Sequence, residues 1–150
     1  MFQHICFQAR AYFKFLLNSK TKYSVHSPFV YGLITQCLEK PHGFKQLEPK
    51  AQLERIKDYH HHKVSDLDQP IELKIARGDE DIETIFAFVD ASPNGSLIMF
   101  PKPHQNKKNE EMWRHLTQNS HLNVSIDLFS VGLLFKRPHQ VEEHFSLRLL

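Results

Sequence analysis

Glycine, cysteine and long apolar runs are scarce in this sequence, and each scarcity narrows the class of protein. The 150 residues include only 5 glycines and 2 cysteines. No apolar run approaches the ~18 residues of a membrane-spanning helix, so no membrane span is predicted. Cys6 and Cys37 lie on apolar helical faces in a chain with no recognisable export signal, which favours reduced, buried thiols over a disulfide. We therefore expect a cytoplasmic protein.

Acidic residues are absent from the start of the chain. Four cations, Arg10, Lys14, Lys20 and Lys22, precede the first acid, Glu39. A transit segment or a membrane-surface helix has this composition, but a solvated basic face on an amphipathic helix explains it without either function. The net charge of +2 is too small to identify a polyanionic partner.

Helices are predicted in the first part of the chain. Apolar residues recur at helical spacing over residues 2–17, which predicts a first helix that covers the core with this face. Ser27 is a predicted N-cap ahead of a second apolar stripe over residues 30–38. A more polar third helix is predicted over residues 49–59, and residues 60–70 are interpreted as irregular.

Strands are predicted in the second part of the chain. Alternating or continuous apolar residues mark strands over residues 71–75, 96–100, 123–129, 131–137 and 145–149. The first two are each followed by a helix, and the next two are joined tightly. This order resembles the back half of a doubly wound sheet. The predicted fold class is α/β, a reduced Rossmann-like mixed sheet with N-terminal helices and a C-terminal antiparallel hairpin.

The length of the chain suits one domain. Within it we expect an N-terminal helical cap over residues 1–45, a weakly ordered connection over residues 46–70 and an α/β unit over residues 71–150. No internal repeat and no clear linker divides the sequence.

Two segments carry distinctive strings of residues. The first covers residues 12–31, with Lys-Thr-Lys-Tyr at residues 20–23 and Val-His-Ser-Pro-Phe-Val-Tyr at residues 25–31, and the second covers residues 94–149. The second segment includes Gly95, His104, Trp113, Ile126, Asp127, Gly132, Phe135, Arg137, Gln140, Glu143, His144, Phe145 and Arg148. Together the two segments resemble the ends of a class I S-adenosylmethionine-dependent methyltransferase family of the type common in Bacteroidetes. The resemblance covers about half of the chain.

The sequence departs from this family where the family holds its cofactor. Family members carry a glycine-rich loop, where backbone approaches the cofactor without a Cβ in the way, but no G-x-G occurs here. Ala76 stands where the family has an aspartate, and Pro101-Lys102 stands where it has an acidic pair. About two or three strand–helix units are also missing ahead of residue 71. We therefore expect a truncated or degenerate member, a pseudoenzyme without a cofactor.

Three side chains are candidates for facing a ligand or substrate. His26 and Tyr31 belong to the family-like string, although a structural elbow between two helices also explains that string. His104 follows a predicted strand, and ligands of open α/β sheets gather at the carboxyl ends of strands. No acid lies nearby in sequence, so we interpret His104 as an exposed loop histidine in preference to a base.

Two further clusters contain residue types that bind ligands or metals in proteins. Lys102, Lys107 and Lys108 form a candidate basic patch that, with cations near the first helix, would face phosphates. Three adjacent histidines at residues 60–62 point in different directions from one backbone. We expect no physiological metal site there, because structural zinc sites combine cysteine and histidine at other spacings.

The leading hypothesis is a non-catalytic methyltransferase-like protein that acts through protein–protein contacts. A sheet without its front half leaves a bare strand edge and apolar surface, so we expect a homodimer or a complex with a related methyltransferase. One alternative is an S-adenosylmethionine-dependent methyltransferase with a non-standard or dimer-completed site. Another is a nucleic-acid-binding module, which is not favoured because no recognised nucleic-acid motif is present.

Overall fold

A computed structural model describes residues 1–63 and 72–150, without the side chains of residues 61–63. The α-helices in this part of the chain are α1 (Phe2–Asn18), α2 (Pro28–Leu33), α3 (Pro49–Lys63), α4 (Ile82–Ala91) and α5 (Lys107–Thr117). The strands are β1 (Leu73–Ile75), β2 (Leu97–Pro101), β3 (Val124–Asp127), β4 (Val131–Phe135) and β5 (Glu143–Ser146). A π-helical turn, Ile34–Leu38, continues α2. None of these helices has both the length and the hydropathy that a membrane span requires.

The strands lie in one mixed sheet in the order β1-β2-β4-β3-β5. β1 pairs with β2 and β3 pairs with β5 in parallel, whereas β4 is antiparallel to both β2 and β3. The strands β1, β2, β3 and β5 therefore run in one direction, and their carboxyl ends share one edge of the sheet, which we call the carboxyl edge. This confirms the Rossmann-like α/β class, and the β3–β4 pair is the predicted antiparallel hairpin.

Helices cover both faces of the sheet, which explains the continuous apolar run of β2. Leu97 and Met99 pack in the cluster that contains α2 and α3, whereas Ile98 and Phe100 pack in the cluster that contains α4 and α5. None of the four is more than 1% exposed. A strand that is buried on both faces needs an apolar residue at every position.

The second predicted stripe is buried by α2 and the π-helical turn. Ser27 caps α2, because its hydroxyl accepts a hydrogen bond from the backbone N–H of Val30 at 3.4 Å. Val30 and Leu33 have no exposed surface, and Cys37 is 3% exposed. Burial raises the pKa of Cys37 to about 12, so this thiol stays protonated. The prediction of a buried, free thiol is confirmed for Cys37, whereas Cys6 is only half-buried.

The third helix is longer than the sequence predicts. α3 continues through residues 60–63, so the interpretation of residues 60–70 as irregular is wrong for these four residues; residues 64–71 lie outside the described part of the chain. Ile56 is fully buried and His60 is 3% exposed, because this face of α3 packs on the core. Much of the expected weak connection is therefore a packed helix.

The first helix buries a different face from the one that its periodicity marks. Its buried residue, Phe15, packs against Phe129 in the β3–β4 loop with ring centroids 5.4 Å apart. Phe2 is 79% exposed, Phe13 63% and Leu17 71%. The expectation that this apolar face covers the core is wrong, because α1 lies across the carboxyl edge on its Phe15 side. We call the exposed apolar residues the α1 stripe: Phe2, Ile5, Tyr12, Phe13, Leu16 and Leu17.

Candidate functional site

A cleft with a volume of about 410 Å³ lies at the carboxyl edge between α1 and α5. Its floor comes from the ends of three strands that run in the same direction: Asp127 closes β3, Ser146 closes β5 and His104 follows β2. Lys14 and Phe15 line it from α1. Ligands of open α/β sheets bind outside the carboxyl ends of the strands, so this cleft is the candidate site.

His104 lies between two carboxylates in this cleft. Its Nε2 is 2.6 Å from Asp127 Oδ2, and its Nδ1 is 3.0 Å from Glu110 Oε1. The imidazole stacks on the ring of Phe129 with centroids 5.2 Å apart, and only 16% of its side chain is exposed. The interpretation of His104 as an exposed loop histidine is therefore wrong, because tertiary folding brings both acids to it.

The two carboxylates favour the charged form of His104. Burial by itself lowers the pKa of this imidazole, but the hydrogen bonds and charges of Asp127 and Glu110 together outweigh it, so the pKa is raised above its ordinary value. Only the imidazolium donates from both ring nitrogens at once. His104 is therefore an internal cation that is held by its neighbours, and neither nitrogen is open to accept a proton from a substrate in this arrangement.

Two residues that are close in sequence to His104 and Asp127 have left-handed backbone conformations. Lys102 follows β2 with φ of 51°, and Phe129 lies in the β3–β4 loop with φ of 68°. Such angles are uncommon for residues other than glycine and tend to occur at functional sites. The backbone N–H of Phe129 donates to Asp127 Oδ1 at 2.8 Å, so one carboxylate fixes both this loop and His104.

The family-like string of residues 25–31 lies outside the cleft. His26 and Tyr31 are exposed, and neither lines the cleft. Ser27 Oγ accepts a hydrogen bond from Gln140 Nε2 at 2.9 Å, and the guanidinium of Arg137 lies 3.7 Å from the ring centroid of Phe29. These contacts support the structural explanation of the string, in which its inward residues join the start of α2 to the C-terminal segment.

The candidate basic patch is divided between different environments. Lys107 lines the cleft, whereas Lys102 and Lys108 are exposed and do not line it. Lys22 Nζ is 2.7 Å from the carboxylate of Glu39, which is 4% exposed, so this cation serves an internal ion pair. Of the predicted lysines, the lining of the cleft combines Lys14 and Lys107.

Four charged residues of the cleft were not predicted from the sequence. Arg114, Glu110 and Glu111 line it from α5, and Asp127 lies on its floor. Asp127 is 23 positions from His104 in the sequence, and local sequence patterns do not show which residues so far apart lie close together in the fold. Its place among the family-like residues was the one available signal.

His60 is a buried neutral histidine in the structure. Its ring lies 6.0 Å from that of Phe29 and 6.1 Å from that of Phe135. Burial, aided by the charge of Arg137, lowers its pKa to about 4. Within the described residues its ring nitrogens have no hydrogen-bond partner, and no group of three or more His, Cys, Asp and Glu side chains is arranged to hold a metal ion. The side chains of residues 61–62 lie outside that description.

The carboxyl ends of β1 and β2 contrast with the cleft. Ala76 follows β1 and is fully buried in the cluster with α4 and α5, and β2 ends at Pro101.

The chain matches no protein-family model, no curated protein and no solved structure. The site is therefore interpreted from its own geometry, which places charged groups beside β3 and β5 and leaves Ala76 and Pro101 at the strand ends where the resemblance implies acids.

Proposed function

We propose that this chain is a methyltransferase-like protein without methyl transfer that acts by binding a partner protein through the α1 stripe. The exposure of that stripe is the observation that carries the proposal. Large apolar side chains scattered singly are normal on a surface, but a contiguous apolar patch indicates an interaction site. Phe13, Leu16 and Leu17 are 63%, 37% and 71% exposed on neighbouring positions of one helix.

The methyltransferase-like part of the proposal is supported by the sheet and by contacts between the two family-like segments. Parallel strands β1 and β2, followed by an inserted antiparallel β4, fit the back half of a doubly wound sheet with its closing hairpin. Ser27 and Phe29 of the first segment contact Gln140 and Arg137 of the second. The shared residues thus serve packing, which a chain retains after its catalytic residues have been lost.

The loss of methyl transfer is supported by the residues at the strand ends. Ala76 is fully buried by apolar neighbours, so it leaves no polar group at the end of β1. Lys102 is exposed beyond β2 at a position where the resemblance implies an acid. These residues, with no G-x-G in the sequence, lack the glycine backbone and the carboxylates that the resemblance implies for a cofactor.

The charge pattern of α1 favours a different chain over a second copy as the partner. Arg10 and Lys14 are one turn apart on one flank of the helix, and the helix has no acid. Two copies packed antiparallel about a twofold axis would place these cationic flanks together. A partner with carboxylates beside an apolar groove complements them. A related full-length methyltransferase with such a groove is the partner we propose.

The test of partner binding uses light scattering after size exclusion, on the chain alone and mixed with a full-length methyltransferase of the resembled family from the same organism. A one-to-one complex is expected for wild type and not for the double variant F13S/L17S. The double variant Y23S/V141S is the control, since Tyr23 and Val141 are 75% and 77% exposed outside α1. If the chain alone forms a dimer and F13S/L17S dissociates it, the partner is a second copy of this chain. Binding only to anionic phospholipid vesicles, or to nothing, would overturn the proposal.

The loss of the cofactor is tested separately by calorimetric titration with S-adenosylmethionine and S-adenosylhomocysteine. No heat of binding at millimolar concentrations is expected from the tag-free protein. A dissociation constant in the micromolar range would show that the protein still holds the cofactor, and the alternative of a working methyltransferase with a non-standard site would take precedence.

A further inference from the structure

The cleft contains more cations than its acids neutralise. Lys14, Lys107 and Arg114 line it, and none of them makes an ion pair with a described side chain. Asp127 and Glu110 also line it, but both carboxylates are bound to His104. Three cations thus face the cleft without a partner.

The uncompensated charge in the cleft is therefore positive. The lining carries four cations, Lys14, Lys107, Arg114 and the His104 imidazolium, against the three carboxylates of Asp127, Glu110 and Glu111, so its net charge is +1. Lysine and arginine side chains that converge in a concave site bind phosphate or carboxylate groups through charge-assisted hydrogen bonds. Glu111 and Glu110 on the same wall disfavour a long polyanion, whose further charges they would repel.

One wall of the cleft is apolar and aromatic. Phe15 and Ala11 line it from α1. Phe15 is 6% exposed and is held in place by contacts with Tyr12, at 6.4 Å, and with Phe129, at 5.4 Å between ring centroids. A rigid aromatic wall beside a few charged groups is the usual composition of a small-molecule site, and a volume of about 410 Å³ is in the range of such sites.

We propose that this cleft binds a small molecule with one oxyanion group, a phosphate or a carboxylate, and a flat apolar body. The oxyanion contacts Lys14, Lys107 and Arg114, and the apolar body lies against Phe15. His104 does not transfer a proton here; it positions Asp127 and the Phe129 loop that support the floor. This inference goes beyond the proposed function, because the lining of the cleft includes no residue of the α1 stripe.

The experiment titrates the full chain by calorimetry with phenyl phosphate, benzoate, inorganic phosphate and phenol. Phenyl phosphate or benzoate is expected to bind with a dissociation constant at or below about 1 mM. Inorganic phosphate, which lacks the apolar body, and phenol, which lacks the oxyanion, are each expected to bind about tenfold more weakly or not at all. The tighter of phenyl phosphate and benzoate identifies the oxyanion.

Two neighbouring lysines provide a matched pair of variants. Lys107→Glu reverses a charge in the cleft, whereas Lys108→Glu makes the same change one residue later, outside the lining. Both changes lie in the first turn of α5, where an acid favours the helix, so both variants are expected to fold. Lys107→Glu should weaken binding about tenfold or more, and Lys108→Glu should change it less than about twofold.

Three results would overturn the inference. The first is that neither phenyl phosphate nor benzoate binds at 10 times the expected dissociation constant. The second is that phenol binds as tightly as phenyl phosphate, which would indicate a site for apolar groups alone. The third is that Lys107→Glu and Lys108→Glu weaken binding equally, which would indicate attraction to the overall charge of the protein.

Discussion

Helices α1 and α2 are neighbours in the chain and carry apolar stripes of similar spacing, but their surroundings differ. Val30 and Leu33 of α2 have no exposed surface, because α2 packs in one core cluster with α3 and a face of the sheet. Phe13 and Leu17 of α1 are 63% and 71% exposed, because α1 crosses the edge of the sheet. An apolar stripe thus identifies a helix face that is expected to be buried, but the surface that buries it can belong to the same chain or to another molecule.

The largest expected effect on the free energy of unfolding comes from a leucine-to-alanine substitution that is made in each of the two stripes. Leu33→Ala should lower the free energy of unfolding by about 2–5 kcal/mol, because it leaves a cavity in a closed core. Leu17→Ala removes the same atoms from an exposed position and should change it by less than about 0.5 kcal/mol. Urea unfolding followed by circular dichroism measures both. A similar loss in both variants would show that the α1 stripe is covered within the chain.

The next effect tests whether the covered region tolerates added atoms. A Cβ on Gly132 of β4 would lie closer than 3.0 Å to three atoms of the Trp113 ring. Gly132→Ala should therefore lower the free energy of unfolding by about 3 kcal/mol, in spite of the better strand propensity of alanine. The exposed counterpart, Ala9→Leu in α1, should leave the stability within about 0.5 kcal/mol of wild type.

The Trp113→Leu background provides the control for Gly132→Ala. Removal of the large ring should relieve the overlap, so the penalty of Gly132→Ala should become smaller in that background. An undiminished penalty would place the cause in the backbone of β4 and not in the contact with Trp113.

The smallest of these effects concerns acid. His60 is buried and neutral, with a pKa lowered from 6.5 to about 4, so the unfolded chain binds more protons than the folded chain between these values. His60 is therefore expected to lower the stability by about 2 kcal/mol as the pH drops from 7 to 5, whereas the raised pKa of His104 favours the folded state as the pH drops and offsets part of this loss. Unfolding measured at these two pH values tests this expectation. His60→Leu should remove that part of the slope, and the exposed His26→Leu should retain it.

The comparison of α1 with α2 also shows how far sequence patterns predict this fold. Helices at the start, the strand–helix alternation and the closing hairpin follow from local periodicity, and the structure confirms them within a few residues. The direction in which α1 turns its stripe does not follow, because it depends on contacts such as Phe15 with Phe129. Periodicity describes a helix by itself and contains no information about its neighbours.

The candidate site was less predictable than the fold. Lys107 and His104 were identified from sequence, since basic residues and a histidine after a strand are visible locally. Arg114 and Asp127 were not, because they meet the other two only when α5 and β3 reach the same edge. The burial of His60 was not predicted for a similar reason, since His60 belongs to a polar run of histidines although the helix turns its side chain inward.

The chain just after α1 is joined to the sheet, because backbone hydrogen bonds of 2.8 Å link Lys20 to Ser146 and Arg148. One side of this helix is a wall of the cleft, and its opposite side is the proposed docking surface. A small tilt about the attached end changes both surfaces at once. A ligand and a partner that prefer different tilts would be thermodynamically coupled, and each would change the affinity of the other by the same factor. A single helix of 17 residues would then act as the lever between two binding events.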